Sequence, residues 1–132
     1  MVKCKGAIGK RMTKIKVGIT GQSGFIGTHL YNTLELYPDN FDRIAFKDDY
    51  FQSEEQLRGF VKNCDVIVHL AAVNRHNEPQ VIYNTNISLV KQLVDACEST
   101  GSKPHILFSS STQEERDNIY GRSKKEGREI LE

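Results

Sequence analysis

Cysteine is scarce in this chain, with three residues in 132, at Cys4, Cys64 and Cys97. An odd number, widely scattered and without a CxxC pair, argues against a disulfide framework and against a zinc site. Cys97 falls on the apolar face of a helical segment and reads as core packing. No apolar run approaches the length of a membrane span, and no secretory signal pattern is present. The expected setting is a reduced cytoplasmic compartment, with no membrane partner. Low-complexity tracts, internal repeats and interdomain linkers are also missing. The length suits one domain with a real core.

Acidic residues are absent from the first 16 positions, which hold six basic ones: Lys3, Lys5, Lys10, Arg11, Lys14 and Lys16. The rest carries 12 basic against 17 acidic residues, so a formal net charge of +1 hides an uneven distribution. A basic arm suits nucleic acid or a membrane surface. A disordered leader over residues 1–13 is the simpler reading and the one adopted, with no nucleic-acid partner. Met12 opens "MTKIKVGITG", so residues 1–11 are expected to be an upstream extension.

What is present is a strict alternation of strand and helix patterns. "IKVGITG" (15–21) reads as a buried strand. "GFIGTHLYNTLELY" (24–37) places Ile26, Leu30, Leu34 and Tyr37 at helical spacing. "RIAF" (43–46) suggests a second strand after a polar loop. "SEEQ" (53–56) is a capping box for a helix with the stripe Leu57, Phe60 and Val61. "DVIVHLAA" (65–72) reads as a third strand, 84–99 as a helix, "PHILFSSS" (104–111) as a fourth strand and 120–131 as a last helix. Alternation of this kind predicts parallel βαβ units. Uniformly apolar strands predict helices on both sheet faces. The expected fold is a doubly wound α/β Rossmann-like domain over 14–132, with four parallel strands in the order 2-1-3-4. A ligand crevice belongs at the switch point between the first and third strands.

"TGQSGFIG" puts Gly21, Gly24 and Gly27 between strand one and helix one. Glycines there permit a tight turn, close approach of backbone to a pyrophosphate, and close packing of helix on strand. These three residues, with Phe25 and Ile26 among them, are candidate cofactor contacts. Cofactor choice belongs at the end of strand two, where an acid meets a ribose 2′-hydroxyl and a base meets a 2′-phosphate. "FKDD" offers Lys47 beside Asp48 and Asp49, so both NADP and NAD stay open there.

Strand four ends in Ser109, Ser110 and Ser111, and "YGRSK" places Tyr120 and Lys124 one helical turn apart. Together they suit hydride-transfer chemistry. Tyr120 donates a proton to a carbonyl oxygen, Lys124 lowers the phenol pKa and holds a ribose, and Ser111 orients the carbonyl. Asn86, read near the start of the third helix, is either a helix cap or a water or backbone bridge toward Lys124.

Taken together, "TGQSGFIG", "VIVHLAAVNR", the Asn86 helix, "FSSS" and "YGRSK" resemble the extended short-chain dehydrogenase/reductase family of sugar-nucleotide epimerases, dehydratases and reductases. The resemblance covers about residues 15–132. It implies a bound NAD(P), a Ser–Tyr–Lys site, and Leu70, Ala71, Ala72, Val73 and Ser109 against the cofactor. The stretch between strand two and "VIVHLAA" is too short for the family's usual strand and helix. Only eight residues separate Ser111 from Tyr120. Both features are similar to the capsular-polysaccharide UDP-sugar reductases. Such a resemblance implies NADPH-dependent reduction of a UDP-linked 4-keto-6-deoxy amino sugar. It also implies a homodimer paired through helices 84–99 and 120–132. Nucleotide-sugar 4-epimerases and dehydratases, and a non-catalytic NAD(P)-binding module, are the alternatives. By the same resemblance the chain is the cofactor-binding part of a longer enzyme and is expected to be inactive alone, with no metal site of its own.

Overall fold

The structure, a computed structural model, describes residues 14–73, 76–109, 111–115 and 117–132. The basic leader and Cys4 therefore lie outside the described residues, as do Asn74, Arg75 and Ser110. Four strands, β1 (Ile15–Thr20), β2 (Phe41–Ile44), β3 (Val66–His69) and β4 (His105–Phe108), form one parallel sheet in the order β2-β1-β3-β4. Three helices connect them, α1 (Phe25–Leu34), α2 (Glu54–Asn63) and α3 (Pro79–Thr100), and a fourth, α4 (Ile119–Leu131), follows β4. Short 3-10 turns at Asp48–Gln52 and Thr112–Glu115 precede α2 and α4. No strand intervenes between β2 and β3, in keeping with the short connection.

Register decides which side chains share a face. Val17 pairs with Val66, which pairs with His105; Ile19 pairs with Val68, which pairs with Leu107. This face receives α1, through Leu30 and Leu34. The other face carries Ile67, Ile106, His69 and Phe108. It is covered by the Leu57, Phe60 and Val61 stripe of α2 and by Leu93 and Ala96 of α3. Cys64 is buried there too, and Cys97 packs against the same cluster, as expected of core cysteines. Burial pushes the Cys64 thiol up to about 12, so it is inert.

Three boundaries differ from the sequence reading. Helix α1 stops at Leu34, ahead of the restriction that Pro38 puts on the preceding residue, so Tyr37 lies beyond it and is exposed; Ile26, in its first turn, is exposed too rather than part of a core stripe. Strand β2 begins two residues earlier, at Phe41, and Phe46 leaves the sheet to pack edge-on among Tyr50, Phe51 and Phe60. Helix α3 starts five residues before expectation, because Pro79 at its first turn suits a helix start. Asn86 is thus inside the helix, and the capping role is excluded.

Candidate functional site

At the carboxyl ends of β1 and β3 lies a cleft of about 430 Å³. One wall is the loop with Gly21, Ser23 and Gly24; the other is the segment Leu70, Ala71, Ala72 and Val73. Gly21 has φ of 75° and its Cα faces the backbone of Ala71, so a side chain there is strained twice over. Gly27 brings α1 onto the loop: a Cβ would lie 2.2 Å from the Gly21 carbonyl oxygen. Helix α1 has no side-chain cap at Gly24 and no acid in its first turn, leaving its first N–H groups open to an anion. Phe25 and Ile26 supply N–H groups of this turn while their side chains are exposed.

At the other end of the cleft, Lys47 is exposed and is not among the lining residues, whereas Asp48 is. Asp48 accepts a weak hydrogen bond from Ser23 Oγ at 3.4 Å. Gln22 Oε1 accepts from Phe46 N at 3.1 Å and ties the glycine loop to the exit of β2.

The second half of the site rests on β3, α3 and α4. Thr20 Oγ1 accepts from Leu70 N (3.1 Å) and Ala71 N (3.2 Å), which holds the cleft wall on β1. Its own proton then goes to His69 Nδ1, 2.7 Å away, leaving the His69 proton on Nε2. His69 stacks on Phe108, with centroids 5.8 Å apart. The Lys124 ammonium lies 4.9 Å from the Phe108 centroid and 5.8 Å from that of Tyr120.

Lys124 is 3% exposed, yet among the described residues its ammonium makes no hydrogen bond or ion pair, only these ring contacts. Burial lowers its pKa, opposed by the charge of Glu114. A buried cation met by rings and by the more distant charge of Glu114, with no hydrogen-bond acceptor on it, is costly unless something else meets it. Burial raises the Tyr120 pKa, and no lowering by Lys124 is resolved, contrary to the sequence expectation. The phenol accordingly keeps its proton at neutral pH. Its hydroxyl has no hydrogen-bond partner among the described residues.

Asn86, buried, clamps the cleft wall. Its Oδ1 accepts from Val73 N at 2.7 Å, and its Nδ2 donates to Val73 O at 2.9 Å and to Ser123 Oγ at 3.0 Å. Its direct bond to α4 is to Ser123, the residue next to Lys124. Ser111 caps the 3-10 turn, its Oγ accepting from Gln113 N at 3.1 Å, and it retains a proton to donate. Ser109 N donates to His69 O at 3.3 Å, which positions it beside β3. Sequence reasoning passed over Thr20, His69, Phe108 and Ser123. The signal available for two of them was a polar residue closing an apolar strand.

The residues present fit a nicotinamide dinucleotide. Open N–H groups and glycines face the cleft for its phosphates, and a buried unpaired ammonium awaits hydroxyls. Among the described residues no cluster of metal-ligating side chains occurs, and no helix is long and apolar enough to cross a membrane.

Comparison with known proteins agrees with this geometry. The chain is 34% identical over 118 residues to UDP-2-acetamido-2,6-beta-L-arabino-hexul-4-ose reductase of Pseudomonas aeruginosa, covering 89% of this chain and 31% of that protein. Its fold is like that of dTDP-4-dehydrorhamnose reductase from Bacillus anthracis in complex with NADP. There the TM-score is 0.72 at 24% identity, over 92% of this chain and 50% of the other. It is also like UDP-glucose-4-epimerase from Stenotrophomonas maltophila with bound NAD. There the TM-score is 0.72 at 18% identity, over 90% and 48%. The chain thus spans about a third of the length of the curated reductase and half that of the solved structures. Residues 17–131 match the NAD dependent epimerase/dehydratase family as a whole. Strand order, glycine loop and matched length lead to one conclusion: the chain belongs to the NAD-dependent epimerase/dehydratase family, the extended short-chain dehydrogenases/reductases.

Proposed function

We propose that this chain is the NAD(P)-binding portion of a nucleotide-sugar reductase acting on a UDP-linked 4-keto-6-deoxy amino sugar, in synthesis of a surface polysaccharide. The observation that carries the reading is the Lys124 ammonium, buried with no hydrogen-bond acceptor among the described residues and one helical turn from Tyr120. The bound dinucleotide supplies the hydride. Tyr120 holds a proton, which burial keeps in place, and passes it from its hydroxyl to the substrate carbonyl oxygen. Lys124 meets ribose hydroxyls and supplies positive charge beside the phenol as its proton leaves. Ser111 donates a hydrogen bond to the same carbonyl oxygen and orients it.

Two observations bear on the form of the cofactor. The resemblance to UDP-sugar reductases favours NADP, with Lys47 turning to the 2′-phosphate. The carboxylate of Asp48 in the cleft lining, with Lys47 outside it, favours a 2′-hydroxyl and hence NAD. Calorimetric titration with NADH and NADPH separates the two. The same titration tests the carrying observation through Lys124→Met. Removing an unpaired buried charge should leave the melting temperature equal or higher while cofactor affinity falls at least tenfold. Unchanged affinity in this variant, or no binding of either dinucleotide to the wild type, would refute the reading.

A further inference from the structure

The geometry assigns Ser123 as a positioning residue that holds Tyr120 at a set distance from the cleft wall. The inference rests on the proposed reductase reading. Ser123 is 1% exposed and lies in the turn between Tyr120 and Lys124. Its hydroxyl donates to the Tyr120 carbonyl at 2.7 Å and accepts from Asn86 Nδ2 at 3.0 Å. A serine bonded back to its own helix is common and by itself means little. Here the same oxygen is also the only described link between Asn86 and α4. Asn86 is in turn held by both polar groups of the Val73 backbone.

The result is a continuous path: Val73 on the cleft wall, Asn86 on α3, Ser123 on α4, and the Tyr120 carbonyl. Each member is buried or half-buried and each junction is a bond of 3.0 Å or less. The bond from Ser123 to the Tyr120 carbonyl ties the serine to the first turn of α4, which carries Tyr120. The Asn86 link sets how far that turn stands from the segment Leu70–Val73. Removing the Ser123 hydroxyl leaves Asn86 clamped to Val73, so the fold survives while the register of α4 against the cleft loosens.

Ser123→Ala and Ser123→Thr test this. In the full-length protein, kcat for reduction of a UDP-4-keto sugar should fall about tenfold to hundredfold in Ser123→Ala. Dissociation constants for NADH and NADPH should rise by a smaller factor than kcat falls, because Ser123 is buried outside the cleft lining and only Lys124, on the same turn, shares the shift. The solvent isotope effect on kcat should rise as proton transfer from Tyr120 becomes slower. Ser123→Thr, which keeps the hydroxyl, should recover most of the rate.

A second readout needs no activity. Amide hydrogen exchange at Arg122, in the first turn of α4, should quicken in Ser123→Ala, while Val73, still bonded to Asn86, and Ile19 in the core stay protected. Wild-type kcat, or equal quickening at Arg122 and Ile19, overturns the assignment. Absence of dinucleotide binding in the wild type overturns the reductase reading instead, and this inference with it.

Discussion

A Cβ placed on Gly24 meets only the Gly21 carbonyl oxygen, at 3.3 Å. Gly24→Val, at the N-cap of α1, should cost about 1 kcal/mol while its side chain enters the phosphate approach. The expected outcome is a modestly lower melting temperature without ligand and loss of the thermal protection that NADH or NADPH confers on the wild type. Equal protection in the variant would remove the phosphate from this loop. His69 makes a different kind of claim, about pH. Burial first, and then the Lys124 charge, lowers its pKa from 6.5 to about 4. The unfolded chain takes up that proton near its ordinary value, and the folded chain does not. The stability that neutral His69 supplies is thus complete above about 6.5 and is lost as pH falls from there toward 4. The loss amounts to roughly 3 kcal/mol at the acid end. Urea unfolding from pH 7.5 to 4.5 should show this slope, and His69→Asn, which keeps an acceptor for Thr20, should flatten it. Parallel slopes in the two proteins would place the acid sensitivity elsewhere.

Between elements, α4 depends on a close approach that only glycine allows. A Cβ on Gly121 would stand 1.8 Å from the Gln113 carbonyl oxygen, and the Asn118 cap bonds the Gly121 N–H at 2.7 Å. Alanine inside a helix ordinarily adds about 1 kcal/mol over glycine. At Gly121 it should instead cost about 1–3 kcal/mol through overpacking against backbone. Gly59, mid-helix in α2 with open space around it, supplies the control. Gly59→Ala should stabilise by about 1 kcal/mol. Denaturant midpoints of the two variants should move in opposite directions, and a shared direction would contradict the packing described for α4. Helix α2 shows how far local sequence reaches: Ser53 caps it, its Oγ accepting from Gln56 N at 3.3 Å, whereas the Ser53 N–H goes to Tyr50 O rather than to the Gln56 side chain, so only half of the expected capping box forms.

Across the molecule the two sheet faces are unequal. One is covered by α2 and α3, with Gly127 of α4 against Phe108. The other is covered by α1 over β1 and β2, leaving Leu107 49% exposed and Val66 and Val68 half-buried beside it. Residues directed outward from α3 and α4 include Asn84, Ser88, Lys91, Arg122 and Lys125, all polar. Association of this chain is therefore expected through the open sheet face, in addition to the pairing through helices 84–99 and 120–132 that the family resemblance implies for the longer enzyme. Size-exclusion chromatography with light scattering should show dimers or larger species at tens of micromolar. Leu107→Lys should shift them to monomer. A monomeric wild type would refute the association, and assembly persisting in Leu107→Lys would return the interface to α3 and α4.

Strand order, parallel pairing, the glycine loop at the first crossover and the one-turn spacing of Tyr120 and Lys124 were all legible in the sequence. Each depends on neighbours within a few residues or on alternation along the chain, and periodicity reports those directly. Where β2 begins was not legible, because Phe41 and Phe46 flank the same short run and only packing against Phe60 decides which one leaves the sheet. The identity of Asn86's partner was not legible either. Ser123 is 37 residues away, and the two meet because α3 packs on α4. Thr20 and His69, 49 residues apart, meet through the pairing of β1 with β3. Local pattern thus determined the elements and their order. Only the tertiary structure decided which polar groups face each other in the interior, since a buried donor takes whichever acceptor the packing of distant elements brings within 3 Å.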